Sequence, residues 1–159
     1  MRHGSASNET SLYKDIDRPL SNSGIKEAIK AAKSIASKNP KPGRILCSNA
    51  ARTKKTAEII IHENNWELAS LESDPELYLA SSTSLIYKIN RLSISTEHLM
   101  VVSHNPGLTD LVKYLLPHLI ISMSTCSFLT VQFTKKIIDL NLEFEIKHYV
   151  YNITTDHKW

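Results

Sequence analysis

The chain has 159 residues, of which 42% are hydrophobic and 22% charged, a composition that is ordinary for one soluble globular domain. Its formal net charge of +3 is too small to indicate a nucleic-acid or membrane partner, and no nucleic-acid-binding motif accompanies the scattered basic residues. No apolar run is long enough to span a membrane, and the basic start is not followed by the apolar stretch of a signal peptide. We therefore expect one cytoplasmic domain over residues 1–159, with Cys47 and Cys126 as reduced, packed thiols.

The first half of the chain predicts two helices that flank a buried strand. Apolar residues recur at helical spacing from Ile25 to Ala36, after several candidate N-cap residues and before Pro40. A short apolar run then indicates a strand. The predicted elements are a polar loop at 4–18, a helix at about 22–37, a strand at 45–47, a helix at 50–63 and a short strand at 68–71.

The second half continues the alternation of helix and strand. The run from Leu99 to Val102 is continuous and partly β-branched, which is typical of a buried strand in a parallel sheet. The elements predicted here are a helix at 83–92, the strand at 99–102, a helix from Leu108 to Leu116, and strands at 128–133 and 142–150. Strands that alternate with helices predict an α/β fold with a mostly parallel sheet.

Ligands of such sheets bind beyond the carboxyl ends of the strands, and polar segments follow two of the predicted strands. Ser48 to Arg52 follows the strand at 45–47, and Ser103 to Asn105 follows the strand at 99–102. The segment Arg2-His3-Gly4 would join them if it also followed a strand. Singly, an arginine on a helix is usually solvated or ion-paired, and a histidine at a strand end is more often structural than catalytic. The two arginines and two histidines in this order, each at a strand end, are a far more specific sign of a functional site than any one of them.

Three segments together resemble the signatures of the histidine phosphatase superfamily. They are Met1-Arg2-His3-Gly4 with Arg18-Pro19-Leu20-Ser21 and Gly24, then Ser48 to Glu58, and then Val101 to Leu108. The His-Asn-Pro-Gly form, the segment Pro75-Glu76-Leu77-Tyr78 and the short length are most similar to SixA-type phosphohistidine phosphatases. The resemblance covers about residues 1–133. It implies a phosphoglycerate mutase-like three-layer sandwich, with a mostly parallel central sheet and helices on both faces.

The resemblance also implies roles for four residues and no cofactor or metal. His3 would attack phosphorus and become phosphohistidine, Arg2 and Arg52 would bind phosphoryl oxygens, and His104, expected to be protonated, would donate another hydrogen bond. Physical chemistry agrees with this division, because a phosphoryl group in transfer spreads negative charge that the protein must position and neutralise. The planar fork of arginine matches that geometry. A neutral imidazole becomes a nucleophile when a hydrogen bond holds its other nitrogen.

Larger relatives use a carboxylic acid to protonate an alkoxide leaving group. Glu76 is the nearest candidate by position, and a surface carboxylate is the competing interpretation. A phosphohistidine substrate needs such an acid less, because the departing imidazole can take a proton from solvent on its remote nitrogen. We therefore expect a phosphohistidine-bearing protein, such as a histidine phosphotransfer domain, as substrate and partner.

The chain departs from the family pattern at its start and at two nearby positions. Family members have a buried strand before Arg-His-Gly, whereas this sequence begins at Met1, so residues 1–159 are expected to lack that first strand. We expect a start codon assigned too late, and a true variant without the strand is the alternative. Ser5 replaces a usual acidic residue and Asn49 a usual proline. Neither touches the four proposed site residues.

The sequence excludes several other kinds of active site and leaves two alternative functions open. A cysteine phosphatase needs Cys-x5-Arg, but four residues separate Cys47 from Arg52. No phosphate-binding Gly-x4-Gly-Lys loop or His-Glu-x-x-His metal motif is present. Ser103 beside His104 is not a triad, because neighbouring strand residues point to opposite faces.

Two alternative functions stay open: a phosphatase of small-molecule phosphate esters, and an inactive module that binds phosphate or a phosphoprotein. The short connection between residues 63 and 99 leaves little room for an enclosing insertion and favours a protein-borne phosphate.

Overall fold

A computed structural model describes residues 1–9, 11–93, 95–119, 121–133 and 146–152. Its helices are α1 (Asn22–Lys38), α2 (Ala51–Glu63), α3 (Ser82–Ser93) and α4 (Gly107–Leu115). Its strands are β1 (Arg44–Ser48), β2 (Leu71–Asp74), β3 (Leu99–Val102), β4 (Phe128–Phe133) and β5 (Ile146–Asn152). Short 3-10 turns cover Asp15–Asp17, Leu68–Ser70 and Pro75–Leu77. None of the helices in these ranges is both long and apolar enough to span a membrane.

Local sequence explains where helix α1 begins and ends. The Ser21 hydroxyl caps its first turn by accepting a hydrogen bond from the Gly24 N–H at 3.0 Å. One face of the helix carries small and branched apolar side chains that are buried, namely Ala28, Ala31, Ala32 and Ile35. The helix ends at Lys38, because Pro40 cannot continue it.

The predicted strand at 68–71 is wrong in position. Residues 68–70 form a 3-10 turn, and the strand begins only at Leu71. The apolar pattern gave the wrong position because most side chains of β2 are polar. Among the described strands, β2 lies at the edge of the sheet and pairs with β1. Of the other predicted strands, 45–47, 99–102 and 128–133 are confirmed. Strand β5 covers residues 146–150 of the run predicted at 142–150, and residues 142–145 lie outside the described part of the chain.

The central sheet has the order β2-β1-β3 with parallel neighbours, which confirms the expected mostly parallel α/β fold. The first residues of the chain lie beside β3: the Ser103 N–H donates to the Met1 carbonyl, and the His3 N–H donates to the Ser103 carbonyl. The Arg2 N–H donates to the carbonyl of Ser127, just before β4. Residues 1–3 thus bridge the parallel sheet and the antiparallel pair β4-β5.

Helices cover both faces of this sheet. Alternate residues of β1 point to opposite sides: Ile45 and Cys47 pack with buried side chains of α2, whereas Leu46 packs with the cluster built by α3 and α4. Cys47 and Cys126 are buried free thiols, as expected. The parallel strands β1 and β3 end at the same edge, where residues 1–4 also arrive. This edge holds the candidate site.

Candidate active site

His3 is 9% exposed, and its two ring nitrogens have different partners. Its Nδ1 lies 2.7 Å from the carbonyl oxygen of Gly4, which can only accept a hydrogen bond. The proton therefore sits on Nδ1, and the lone pair of Nε2 is left to face the Nε–H of Arg52 at 3.3 Å. Burial first, and then the charges of Arg52 and Arg2, lower the pKa of His3 to about 4. The imidazole is thus a neutral base with a defined tautomer near pH 7.

The segment that carries His3 is held by two helices. The Gly4 N–H donates to the Thr56 hydroxyl of α2 at 3.0 Å, and the Ser21 hydroxyl at the start of α1 donates to the Ser5 carbonyl at 3.1 Å. A Cβ atom on Gly24 would lie 2.1 Å from the Ser5 oxygen, and one on Gly4 would lie 2.7 Å from the Gly24 oxygen. The absence of side chains at both glycines lets α1 approach the backbone next to the nucleophile.

Arg52 lies in the first turn of α2 and is 4% exposed. Besides its Nε contact with His3, its Nη2 lies 3.5 Å from His104 Nδ1 and donates to Asp15 Oδ2 at 2.9 Å. Its Nη1 donates to the backbone carbonyl of Asp15. The guanidinium therefore connects both histidines to the loop that precedes α1.

His104 follows β3 and is 1% exposed. Its Nε2 lies 2.8 Å from the Ser48 hydroxyl at the end of β1, and its ring centroid is 5.0 Å from that of His3. Burial, followed by His3 and Arg52, lowers the pKa of His104 to about 3. This pKa does not support a protonated His104 in the surroundings described, because a buried imidazole beside a guanidinium disfavours a second cation. A phosphoryl dianion in the same place would raise that pKa.

Arg2 completes the group from the other side of the nucleophile. Its Nη1 donates to the Met123 carbonyl at 2.8 Å, which holds the side chain in place. Its buried Nε has no hydrogen-bond partner within the described part of the chain. Burial lowers the pKa of Arg2, yet a guanidinium stays charged at any working pH. Arg2 is also one of the residues that line the cavity beside His3.

The structure brings Arg2, His3, Arg52 and His104 together on the wall of one open cavity of about 890 Å³. The rest of the wall includes residues 5–9, Asp15 and Leu79. Two guanidinium groups and two neutral imidazoles in one polar cavity can bind a tetrahedral oxyanion and present a nitrogen nucleophile to it. Within the described residues, no group of three or more His, Cys, Asp or Glu side chains is arranged to hold a metal ion.

Glu76, the possible general acid, lies apart from this cavity. Its carboxylate accepts a hydrogen bond from Lys88 Nζ at 2.5 Å, and its side chain is 74% exposed. It is absent from the residues that line the cavity. The geometry therefore gives the role of Glu76 as an acid no support.

Sequence reasoning missed the part that Asp15 and Tyr78 play beside the site. The Tyr78 hydroxyl donates to Asp15 Oδ2 at 2.6 Å, across 63 positions of the chain. Tyr78 belongs to the Pro-Glu-Leu-Tyr segment that resembles SixA-type proteins, but the sequence analysis gave a candidate role only to Glu76 in this segment. Asp15 carried no signal at all, because it is one of several polar residues in a loop without periodicity.

Comparisons of the sequence show what this chain is similar to. A sequence model of the histidine phosphatase superfamily (branch 1) matches residues 1–78. Two uncharacterized proteins of Mycobacterium tuberculosis, from strains CDC 1551 / Oshkosh and H37Rv, are each 32% identical over 106 residues, which is 67% of this chain and 63% of theirs. The match thus spans less than two thirds of the length of these curated relatives.

Solved structures share the fold at low sequence identity. The SixA protein of Agrobacterium tumefaciens superimposes with a TM-score of 0.76 at 21% identity, covering 94% of this chain and 93% of that one. The protein histidine phosphatase SixA in complex with tungstate gives 0.76 at 24% identity, covering 95% and 94%. An alpha-ribazole phosphatase from Shigella flexneri gives 0.64 at 16% identity, covering 86% and 90%. The three-layer phosphoglycerate mutase-like fold is therefore confirmed, and with it the SixA-like architecture.

Proposed function

The chain belongs to the histidine phosphatase superfamily, and from that premise we propose that it hydrolyses protein phosphohistidine through a phosphohistidine intermediate on His3. The observation that carries the proposal is the tautomer of His3. Because the Gly4 carbonyl accepts a hydrogen bond from Nδ1–H, the lone pair of His3 lies on Nε2. This lone pair faces the guanidinium of Arg52, which can bind the phosphoryl group that Nε2 attacks.

In the first step, Nε2 of His3 attacks phosphorus and the N–P bond of the substrate breaks. The electron pair of that bond goes to the leaving imidazole, which takes a proton on its remote nitrogen and departs as a neutral molecule. In the second step, water attacks phosphorus, the bond to His3 breaks and inorganic phosphate leaves. Arg2, Arg52 and His104 line the cavity around the nucleophile and would bind the equatorial oxygens in both steps.

The choice of phosphohistidine rests on the leaving group. An alkyl ester must expel an alkoxide, which needs a proton donor. Asp15 and Glu9 are the carboxylates on the cavity wall. Asp15 cannot serve, because the hydrogen bond from Tyr78, then those from Arg52 and Arg18, hold its pKa well below the usual range. Glu9 lies on an exposed loop, and the described hydrogen bond of its carboxylate is the one from the Ser7 hydroxyl at 3.5 Å. Among the described residues that line the cavity, no carboxylic acid is therefore positioned to protonate an alkoxide.

The open form of the cavity supports a protein-borne substrate. The chain between α2 and β3 is taken up by β2, α3 and two 3-10 turns, and the cavity wall takes only Leu79 from this stretch. A phosphorylated imidazole on the surface of a partner protein can reach such a site, whereas a small metabolite gains more from an enclosed one. We expect docking contacts outside the cavity to select the partner.

The test compares kcat/KM for a phosphorylated histidine phosphotransfer domain, free phosphohistidine and a panel of alkyl and aryl phosphate esters. We expect the phosphohistidine protein to be preferred over alkyl esters by about 10²- to 10⁴-fold, the usual contribution of proton donation. His3→Ala serves as the inactive control. Equal or faster turnover of an alkyl ester would contradict the phosphohistidine assignment and favour a small-molecule phosphatase, with Glu9 as the acid to test.

The inactive binding module is the remaining alternative, and the same preparation tests it. A binding module would retain the phosphorylated protein without releasing phosphate, and Arg52→Ala would abolish that binding. Phosphate release from the wild-type protein that is absent in His3→Ala excludes this alternative.

A further inference from the structure

The guanidinium of Arg52 has two edges that can each donate a pair of hydrogen bonds, and they face different groups. The edge formed by Nε and Nη2 faces the two histidines, at 3.3 Å from His3 Nε2 and 3.5 Å from His104 Nδ1. The edge formed by Nη1 and Nη2 faces Asp15, whose backbone carbonyl and Oδ2 accept from the two nitrogens. The edge toward the histidines is therefore the one that can bind a phosphoryl group.

Asp15 is itself held from two further sides. The Tyr78 hydroxyl donates to Oδ2 at 2.6 Å, and Arg18 Nη1 donates to Oδ1 at 3.2 Å. Arg18 in turn donates to the Ser7 carbonyl through Nε and Nη2. The carboxylate is half-exposed, yet all its described contacts are with donors, and it lies on the cavity wall. Such an arrangement makes Asp15 a stationary anion rather than a mobile surface side chain.

We propose that Asp15 is a positioning residue for phosphoryl binding: it holds the Nη1–Nη2 edge of Arg52 so that the Nε–Nη2 edge stays turned toward the oxyanion beside His3. This inference rests on the proposed phosphatase function for its chemistry, but its geometry does not depend on which phosphorylated substrate is used. Without the Asp15 carboxylate, only the backbone carbonyl of residue 15 still holds this edge through Nη1, so the guanidinium is less restrained and the two parallel hydrogen bonds to one oxyanion become less frequent. Misplacement of a binding group by about 1 Å can cost about 10²-fold in rate.

Two other roles for the same carboxylate predict different results. If Asp15 were a general acid, its loss would affect esters with poor leaving groups most. If Asp15 competed with the substrate for Arg52, its loss would strengthen oxyanion binding. A positioning role predicts weaker oxyanion binding and slower turnover, and both effects should require Arg52.

The experiment is a double-mutant cycle with Asp15→Ala, Arg52→Ala and the combined variant, measured by tungstate binding in a calorimeter and by kcat/KM. Asp15→Ala should weaken tungstate binding and lower kcat/KM by about 10- to 100-fold. The combined variant should lose no more than Arg52→Ala alone, because Asp15 acts only through Arg52. Asp15→Asn keeps one side-chain oxygen as an acceptor and should recover part of the loss.

Asp17→Ala is the matched control, since Asp17 is exposed, carries the same charge and lies in the same 3-10 turn. It should leave tungstate binding unchanged, and thermal melting should show that all variants are folded. Tighter tungstate binding in Asp15→Ala, or additive losses in the combined variant, would overturn the proposal. If phosphohistidine is not hydrolysed but the tungstate cycle behaves as described, the substrate assignment fails while the role of Asp15 stands.

Discussion

The Nε atom of Arg52 lies 3.3 Å from the Nε2 atom of His3, so a permanent cation is in contact with the lone pair that would attack phosphorus. This contact disfavours protonation of His3 and places a hydrogen-bond donor where negative charge would develop. Helix α2 carries the arginine and residues 1–4 carry the histidine, so the pairing depends on how these two segments pack.

Removing the nucleophile should abolish turnover, whereas removing one charge-stabilising group should only slow it. We expect no measurable phosphatase activity in His3→Ala and a loss of about 10²-fold or more in Arg52→Ala and His104→Ala, since electrostatic stabilisation is the main contribution to phosphoryl transfer. Arg52→Lys keeps the charge but not the two-donor edge, and we expect it to remain well below wild type. Lys55→Ala, on the exposed side of α2, is the control. Near wild-type activity in His3→Ala would remove the proposed nucleophile.

The pH profile should report the lowered pKa of His3. The reactive form is the neutral imidazole, so activity should persist as the pH falls below the ordinary histidine pKa of about 6.5 and should be lost only as the pH approaches about 4. An acid-stable aryl phosphate is the suitable substrate for measuring kcat/KM between pH 4 and 8. A loss of activity centred on about pH 6.5 would mean that the site does not disfavour protonation of His3 as the structure indicates.

Glu76→Gln should leave kcat/KM within about twofold of wild type, because the carboxylate is ion-paired with Lys88 on the surface and lies outside the cavity. The comparison should include one substrate with a good leaving group and one alkyl ester. A selective loss on the alkyl ester would restore Glu76 as a general acid and require it to move into the cavity during turnover. Lys88→Ala, which removes its partner, controls for local rearrangement.

Chelators should not change the activity. The proposed mechanism assigns charge neutralisation to Arg2 and Arg52, joined by His104 once a bound phosphoryl group raises its pKa, and it uses no Lewis acid. We expect equal initial rates with and without EDTA after dialysis. Inhibition by EDTA that a divalent ion reverses would point to a different mechanism.

An added N-terminal strand should stabilise the protein. Cavities of about 190 Å³ and 210 Å³ lie between β3 and β4 beside Met1. Their walls share Met1, Glu97, Leu99, Val101, Leu129 and Val131, so together they form a mostly apolar slot. The buried Met1 amino group donates to the Val101 carbonyl, and burial lowers its pKa to about 5. A fused segment of about five β-branched residues would replace this amino group by an amide and fill the slot.

We expect that fusion to raise the melting temperature and kcat/KM together. Residues 1–3, which now form an isolated bridge beside β3, would then be the last residues of a longer strand. A fused Gly-Ser segment of equal length is the control, since it extends the chain without apolar side chains. Equal melting temperatures for the two fusions would show that the slot does not accept a strand.

Much of the secondary structure could be predicted because its signals are local. Helix α1 follows from the Ser21 cap, the periodic apolar face and Pro40, and β3 follows from an uninterrupted apolar run. The strand β2 was misplaced because its pairing with β1, rather than its own pattern, makes it a strand. Edge strands with polar side chains carry little local information.

The sequence by itself predicted the fold class and placed Arg52 and His104 at one edge of the sheet, because parallel strands end at the same edge and each of these residues follows a strand. Arg2 and His3 joined this candidate site through the resemblance to the histidine phosphatase superfamily. Only the tertiary structure decided how these groups act. The lowered pKa of His104 depends on burial beside His3 and Arg52. The place of Glu76 outside the cavity goes with its pairing with Lys88, and the proposed part of Asp15 depends on contacts with Arg52 and Tyr78. Protonation and the orientation of a guanidinium are set by neighbours within a few ångströms in space, and those neighbours are distant in the chain.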